Sequence, residues 1–251
     1  MKGKRHIHFS EDRPSVFGLK AGNTPRTSRM KRNLLTTAVK VIPELFPTIA
    51  SVMNSVSDKL TGKPFELFVF SDASPNAYCL GNTSSYPVLL VSSGLIERFD
   101  SQEIAFVVGH ELGHAIFEHN SYPRPDDTED PIKKQKILAL YRAREITADR
   151  AGLVATGDTN AAFRAMMKLA SGLSDKFIRF DVTAFLDQVK DLEKTGPSPS
   201  FLQSTHPFIT SRIKCLLWYQ MSDPWYRIKK IRGNPSLTRE KLDSKVKKEI
   251  Q

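Results

Sequence analysis

From Asp100 to about His119 the chain can be little other than helix, and that helix carries His110-Glu111-Leu112-Gly113-His114 in its interior. Asp100-Ser-Gln-Glu103 opens it as a capping box, with the aspartate and glutamate each serving a backbone N–H at the helix start. Residues four apart on a helix differ by about 40° in direction and ~6 Å in rise, so both imidazoles project from one face. That arrangement suits two nitrogen ligands on one zinc ion. Glu111 stands beside the pair, where its carboxylate reaches the water that such a metal activates rather than the metal itself. The competing reading is a pair of ordinary helix histidines with a Glu–His contact, and it leaves the spacing unexplained.

A catalytic zinc needs a third protein ligand. A metzincin would place Gly at 117 and His at 120, but this chain has Phe117 and Asn120. The other common solution is a carboxylate from a following helix. Asp130-Pro131 supplies an N-cap and a first-turn proline for a second long helix, predicted to reach about Thr156 before Gly157. On it Glu145 and Asp149 are four apart and share a face. One suits the metal, and the other suits the ring N–H of a metal-bound histidine, fixing its tautomer. With Arg142, Arg144 and Arg150 nearby, the same residues also read as a charged solvent face. Thr205-His206-Pro207 begins another predicted helix, to about Tyr219, with Arg212 two turns on. His206 there fits either an oxyanion donor or an ordinary helix-start residue.

The surrounding pattern is α+β and predominantly helical. Residues 1–27 mix Gly, Pro, Ser and charge with no apolar period and read as an irregular basic arm. Apolar positions from Leu34 to Leu60 predict helix over 28–60, divided at Pro43 and Pro47. Runs at 65–70, 76–80 and 87–93 predict a small sheet of about three strands beside the HExxH helix. Further helices are predicted over 159–173 and 175–193, with loops at 120–130 and 195–204. The peptidase-sized unit is 28–225, followed by a basic tail, 226–251. Hydrophobic residues at 40% and charged residues at 25% are enough for an ordinary core. Cys79 and Cys215 are too few for a disulfide framework, and Cys79 reads as a small core residue. His6, His8 and His119 match no motif and read as surface residues. No apolar run approaches the ~18 residues of a membrane span, and nothing apolar follows the basic opening as in a signal peptide. The expectation is a cytoplasmic protein without a transmembrane anchor.

The formal charge of +10 sits in the two ends: 1–32 carries +7 and 226–251 carries +6, against −3 for 33–225. Such ends suit an acidic partner, an acidic membrane surface or nucleic acid. They equally suit solvated arms, and no aromatic residues interleave with the charge as single-strand binding would need.

Taken in order, four motifs resemble those of the HtpX and CAAX prenyl-protease family of gluzincin zinc peptidases. They are Asn76-Ala77-Tyr78, the His110–His114 string, Glu145 with Asp149 and Gly152, and Thr205-His206-Pro207 with Arg212-Ile213. The likeness runs from about Phe65 to Trp218. It implies a zincin-type fold and one Zn²⁺ per chain, held by His110, His114 and Glu145, with Glu111 as general base. It also implies Asp149 as partner of a zinc histidine, Arg212 as the group orienting that acidic set, and His206 assisting at the transition state. Asn76, Ala77 and Tyr78 match the edge strand to which a substrate peptide adds as a further strand, and Val91–Leu95 matches the segment before the zinc helix. The implied activity is endopeptidase action on protein or peptide substrates. Two alternatives come from the residues alone: a latent, zymogen-like or structural zinc protein, and a nucleic-acid-associated protease recruited by its basic ends.

Overall fold

Helix α4 (Ser101–Ile116) is the axis of the molecule. The computed structural model describes residues 25–82, 86–187 and 207–250. Between Glu103 and Ala115 every α4 residue is buried except Glu111. Its start is fixed as the sequence predicts: Asp100 accepts from the N–H groups of Gln102 and Glu103 at 2.8 and 2.9 Å, and Glu103 accepts from Asp100 N–H at 2.9 Å. Glu103 itself is buried but paired, with Lys168 at 2.7 Å and Arg164 at 2.9 Å, which offsets the cost of taking a carboxylate out of water.

Helix α5 (Pro131–Thr156) packs antiparallel along α4. Asp130 caps it, Pro131 occupies its first turn, and Gly157 ends it at φ 70°, a left-handed conformation that costs glycine little. Small residues line the seam. A Cβ added at Gly109 would stand 2.3 Å from that of Ala155, and one at Gly113 would stand 2.8 Å from that of Ala151. From the α5 side, a Cβ at Gly152 would meet the Phe106 carbonyl oxygen at 2.7 Å. The helices therefore approach more closely than side chains at these three positions would allow, and polar groups on their facing sides converge. Helices α2 (Pro47–Leu60) and α6 (Thr159–Ser171) cover other sides of α4.

The sheet has four strands in the order β1-β2-β4-β3: β1 (Val39–Lys40), β2 (Glu66–Phe70), β3 (Ala77–Asn82) and β4 (Pro87–Ser92). β2 and β4 are parallel, while β1 and β3 run antiparallel to their neighbours, so β3 is an edge strand. The expected three strands are present, and β1 is an addition. It forms inside the stretch 28–60, for which the apolar period predicts helix. Helix α1 (Pro25–Thr37) stops short of it; Val41 N–H then donates to Leu67 O at 2.9 Å, and Lys40 pairs with Glu66 at 2.6 Å. Long-range pairing overrides a weak local pattern here.

Helix α3 (Ser93–Arg98) links β4 to α4 and had no separate counterpart in the sequence reading. The helix expected over 175–193 is non-helical to residue 181 and helical over 182–187; the rest of it, and the loop 195–204, lie outside the described residues. Helix α7 (Ile209–Gln220) begins later than residue 205. After it come α8 (Asp223–Lys229) and α9 (Arg239–Ile250). The segment 226–251 is basic, yet α9 buries Leu242, Val246 and Ile250 in the common core beside α5 and α7. The fully buried Arg142 donates from Nε to the Ile250 carbonyl at 2.7 Å. Among the described residues no helix is long and apolar enough to cross a membrane.

Candidate active site

The close seam brings three of the predicted side chains together. His110 and His114 from α4 meet Glu145 from α5, and all three are buried. The His110 and His114 Nε2 atoms lie 3.1 Å apart, Glu145 Oε2 is 3.5 Å from the first, and Oε1 is 3.6 Å from the second. A four-coordinate ion with bonds of 2.0–2.2 Å needs ligand atoms separated by about 3.3–3.6 Å. The triangle is therefore of the right size and chemistry for one metal ion. Two imidazole nitrogens facing each other at 3.1 Å also need a proton or a cation to reconcile their lone pairs. Among the described residues this is the group with ligand atoms so placed.

Asp149, one turn beyond Glu145 and fully buried, accepts from His110 Nδ1 at 2.9 Å. Arg212 of α7 grips the same carboxylate from the other side, Nε to Oδ2 at 2.8 Å and Nη2 to Oδ1 at 2.5 Å. The order Arg212–Asp149–His110 fixes His110 with its Nε2 turned to the cluster. Burial acts against a carboxylate at Asp149, but Arg212 and His110 outweigh it and hold its pKa below the usual value. Burial likewise acts against an imidazolium at His110, yet the Asp149 and Glu145 carboxylates prevail and raise its pKa to about 10. At His114 burial wins and, with His110, His119 and Arg144 nearby, pushes the pKa well down. The Glu145 and Asp149 carboxylates thus surround the two imidazoles with negative charge, which suits a cation.

The sequence itself matches the family model described as Peptidase family M48, over residues 43–123 and 132–219. The chain belongs to peptidase family M48. Its curated relatives include the plastoglobule-localized metallopeptidase 48 of Arabidopsis thaliana chloroplasts, 30% identical over 148 residues, 53% of this chain and 43% of the relative. They also include Protease HtpX homologs of Acidiphilium cryptum, 25% identical over 67% of this chain and 72% of the relative, and of Bifidobacterium longum, 26% identical over 68% and 70%. The chain thus spans less than half the length of the Arabidopsis relative. It is thus an HtpX-like member of that family.

In this M48 chain the cluster opens on a cavity of about 1610 Å³, and Glu111, the one α4 residue between Glu103 and Ala115 that is not buried, lines it with His110 and His114. Asn76, Ala77 and Tyr78 line the same cavity, on the edge strand β3 and the residue before it. What holds them there, besides the β3–β4 pairing, is the β4–α3 junction at Ser92-Ser93-Gly94. The buried Ser92 hydroxyl accepts from Asn76 N–H and Leu95 N–H at 2.9 and 3.1 Å and donates to Ser74 O at 2.8 Å. Gly94 N–H donates to Asp72 O, and a Cβ at Gly94 would stand 2.2 Å from the Ala73 oxygen. The Val91–Leu95 motif is therefore the hinge post on which the edge strand hangs. Cys79 is buried in the core, as expected.

His206 lies outside the described residues. His119, read from sequence as a surface residue, is instead 4% exposed and joins the cluster: its Nδ1 is 3.0 Å from Nδ1 of His114. Burial, with Arg144 adding to it, lowers its pKa to about 4. The sequence signal that could have found it is the repeat of histidine at 110, 114 and 119, but helical periodicity alone points the third ring elsewhere.

Proposed function

We propose that this chain is a zinc-dependent endopeptidase cleaving protein or peptide substrates, with His110, His114 and Glu145 as zinc ligands and Glu111 as general base. The observation that carries this reading is the triangle of two imidazole nitrogens and one carboxylate, sized for one ion, with a further carboxylate facing the cavity beside it. Zinc, when bound, would polarise the scissile carbonyl and lower the pKa of the attacking water. Glu111 takes one proton from that water as its oxygen bonds to the carbonyl carbon, and returns the proton to the departing amine as the C–N bond breaks. Asp149 and Arg212 hold His110 in the orientation that presents Nε2. The substrate lies extended along β3 at Asn76, Ala77 and Tyr78, its main chain pairing with the strand edge. His206 is assigned, from the family pattern, to the oxyanion of the tetrahedral intermediate.

The test is metal content of the purified chain together with cleavage of an unfolded protein, with and without chelator, for wild type and Glu111→Gln. The account expects about one zinc per chain in both proteins and chelator-sensitive cleavage in wild type. The variant should be slower by about 10²- to 10⁴-fold. Full cleavage by Glu111→Gln would overturn the assigned mechanism, and absence of zinc from both would overturn the ligand set.

A further inference from the structure

His119 sits five residues beyond His114, and on a continuing helix it would point about 140° away from it. It does not, because α4 ends at Ile116 and Glu118 adopts a left-handed conformation, φ 51° and ψ 35°, which folds the chain back under the helix end. Glu118 N–H donates to Ala115 O at 3.2 Å within that turn. The returned ring of His119 lies edge-on to His114, centroids 5.0 Å apart and planes at 76°, with the two Nδ1 atoms at 3.0 Å. Phe117 stacks on it at 5.7 Å, and Tyr122 lies at 6.1 Å. Its backbone carbonyl accepts from Arg144 Nη1 at 2.7 Å, so the helix that presents Glu145 also clamps the segment that presents His119. A non-glycine residue in the left-handed region and a buried imidazole are both costly, and here they set a ring nitrogen of His119 against that of His114.

We propose that His119 is a positioning residue for the metal centre: its Nδ1 accepts a hydrogen bond from His114 Nδ1–H and thereby commits His114 to offering Nε2. The inference rests on the metal-centre reading above. Under that reading Nε2 of His114 gives its lone pair to the ion, so its Nδ1 carries the hydrogen, and an acceptor must face it. His119 is then the Nε2–H tautomer. The two zinc histidines are held differently, His110 by the carboxylate of Asp149 and His114 by a neutral ring. The second arrangement orients its ligand without adding another negative charge to a site that already holds Glu111, Glu145 and Asp149.

The acceptor and the ring can be separated by substitution. His119→Phe keeps an aromatic ring between Phe117 and Tyr122 and deletes the acceptor. His119→Asn deletes the ring and keeps an acceptor close to the place of Nδ1. Zinc affinity of the full chain is measured by competition with a chelating dye, the cobalt-substituted protein by its visible spectrum, and folding by thermal melting. We expect His119→Phe to bind zinc about 10- to 100-fold more weakly with an altered cobalt spectrum, and His119→Asn to stay close to wild type in both. If the phenylalanine ring disturbs folding, His119→Ala takes its place in the same comparison against His119→Asn. Wild-type affinity and spectrum in the acceptor-less variant, or equal losses in both variants, would overturn the inference while leaving the metal centre intact. A wild-type chain that binds no zinc would overturn the metal reading and this inference with it.

Discussion

The two walls of the cavity are built by different means. The helical wall is a seam of glycines and alanines between α4 and α5, where ligand groups converge because Gly109 and Gly113 leave room for the methyl groups of Ala155 and Ala151 against the α4 backbone. The strand wall is the sheet edge β3, held by its main-chain pairing with β4 and, at its start, by the buried hydroxyl of Ser92. Under the proposed function the first wall holds the metal and the second the peptide. Damage to one should therefore read out as metal affinity and stability, and damage to the other as substrate binding.

The largest expected effect is at the seam. In Gly109→Val the new Cβ would stand about where Ala155 already is, at 2.3 Å. Overpacking of this kind should destabilise by roughly 3 kcal/mol and weaken zinc binding by moving His110 away from Glu145. Adding Ala155→Gly should return part of both losses. Denaturant unfolding and zinc competition on the two single variants and the double variant check this, and strict additivity would argue against the seam as the spacer.

Ser92→Ala is the corresponding change on the strand wall. It strips the acceptor from Asn76 N–H and Leu95 N–H, at a cost of about 1–3 kcal/mol. Because β3 is displaced and α4 is not, KM for an extended peptide should rise while zinc affinity stays at the wild-type value. Unchanged KM would detach β3 from substrate binding.

The smallest effect is at the helix start. Asp100→Ala removes the cap of α4 and should cost about 1 kcal/mol with no change in zinc affinity or KM. Its pH dependence has a definite sign. Burial opposes the Asp100 charge, but the Glu103 and Gln102 N–H groups and Arg164 outweigh it and lower its pKa in the folded state. The stabilisation is therefore complete above the unfolded value of about 3.9 and is lost as pH falls through the lower folded value. The melting temperatures of wild type and variant should converge only in that acidic range.

What the sequence made legible follows the same division. Helices α4 and α5 announce themselves through local chemistry, a capping box at one start and Asp-Pro and Gly at the ends of the other, and the groups spaced four apart on each face one another once the helices pack. Elements that owe their form to distant partners were not legible. Val39–Lys40 carries a helical apolar pattern but is drawn into strand by β2, and the role of Ser92 depends on backbone groups 16 to 18 residues upstream. His119 was hidden by a single left-handed residue, Glu118, which no helical period anticipates. The charge of 226–251 concealed Leu242, Val246 and Ile250, which bury one face of an otherwise polar helix.

The most direct test of the metal centre is an anomalous-difference map at the zinc absorption edge from crystals of the zinc-loaded chain. The account predicts one strong peak, bounded by Nε2 of His110, Nε2 of His114 and the Glu145 carboxylate, with Asp149 on Nδ1 of His110 and out of contact with the ion. A peak coordinated by Asp149 in place of Glu145, a peak elsewhere, or no peak at saturating zinc would contradict it.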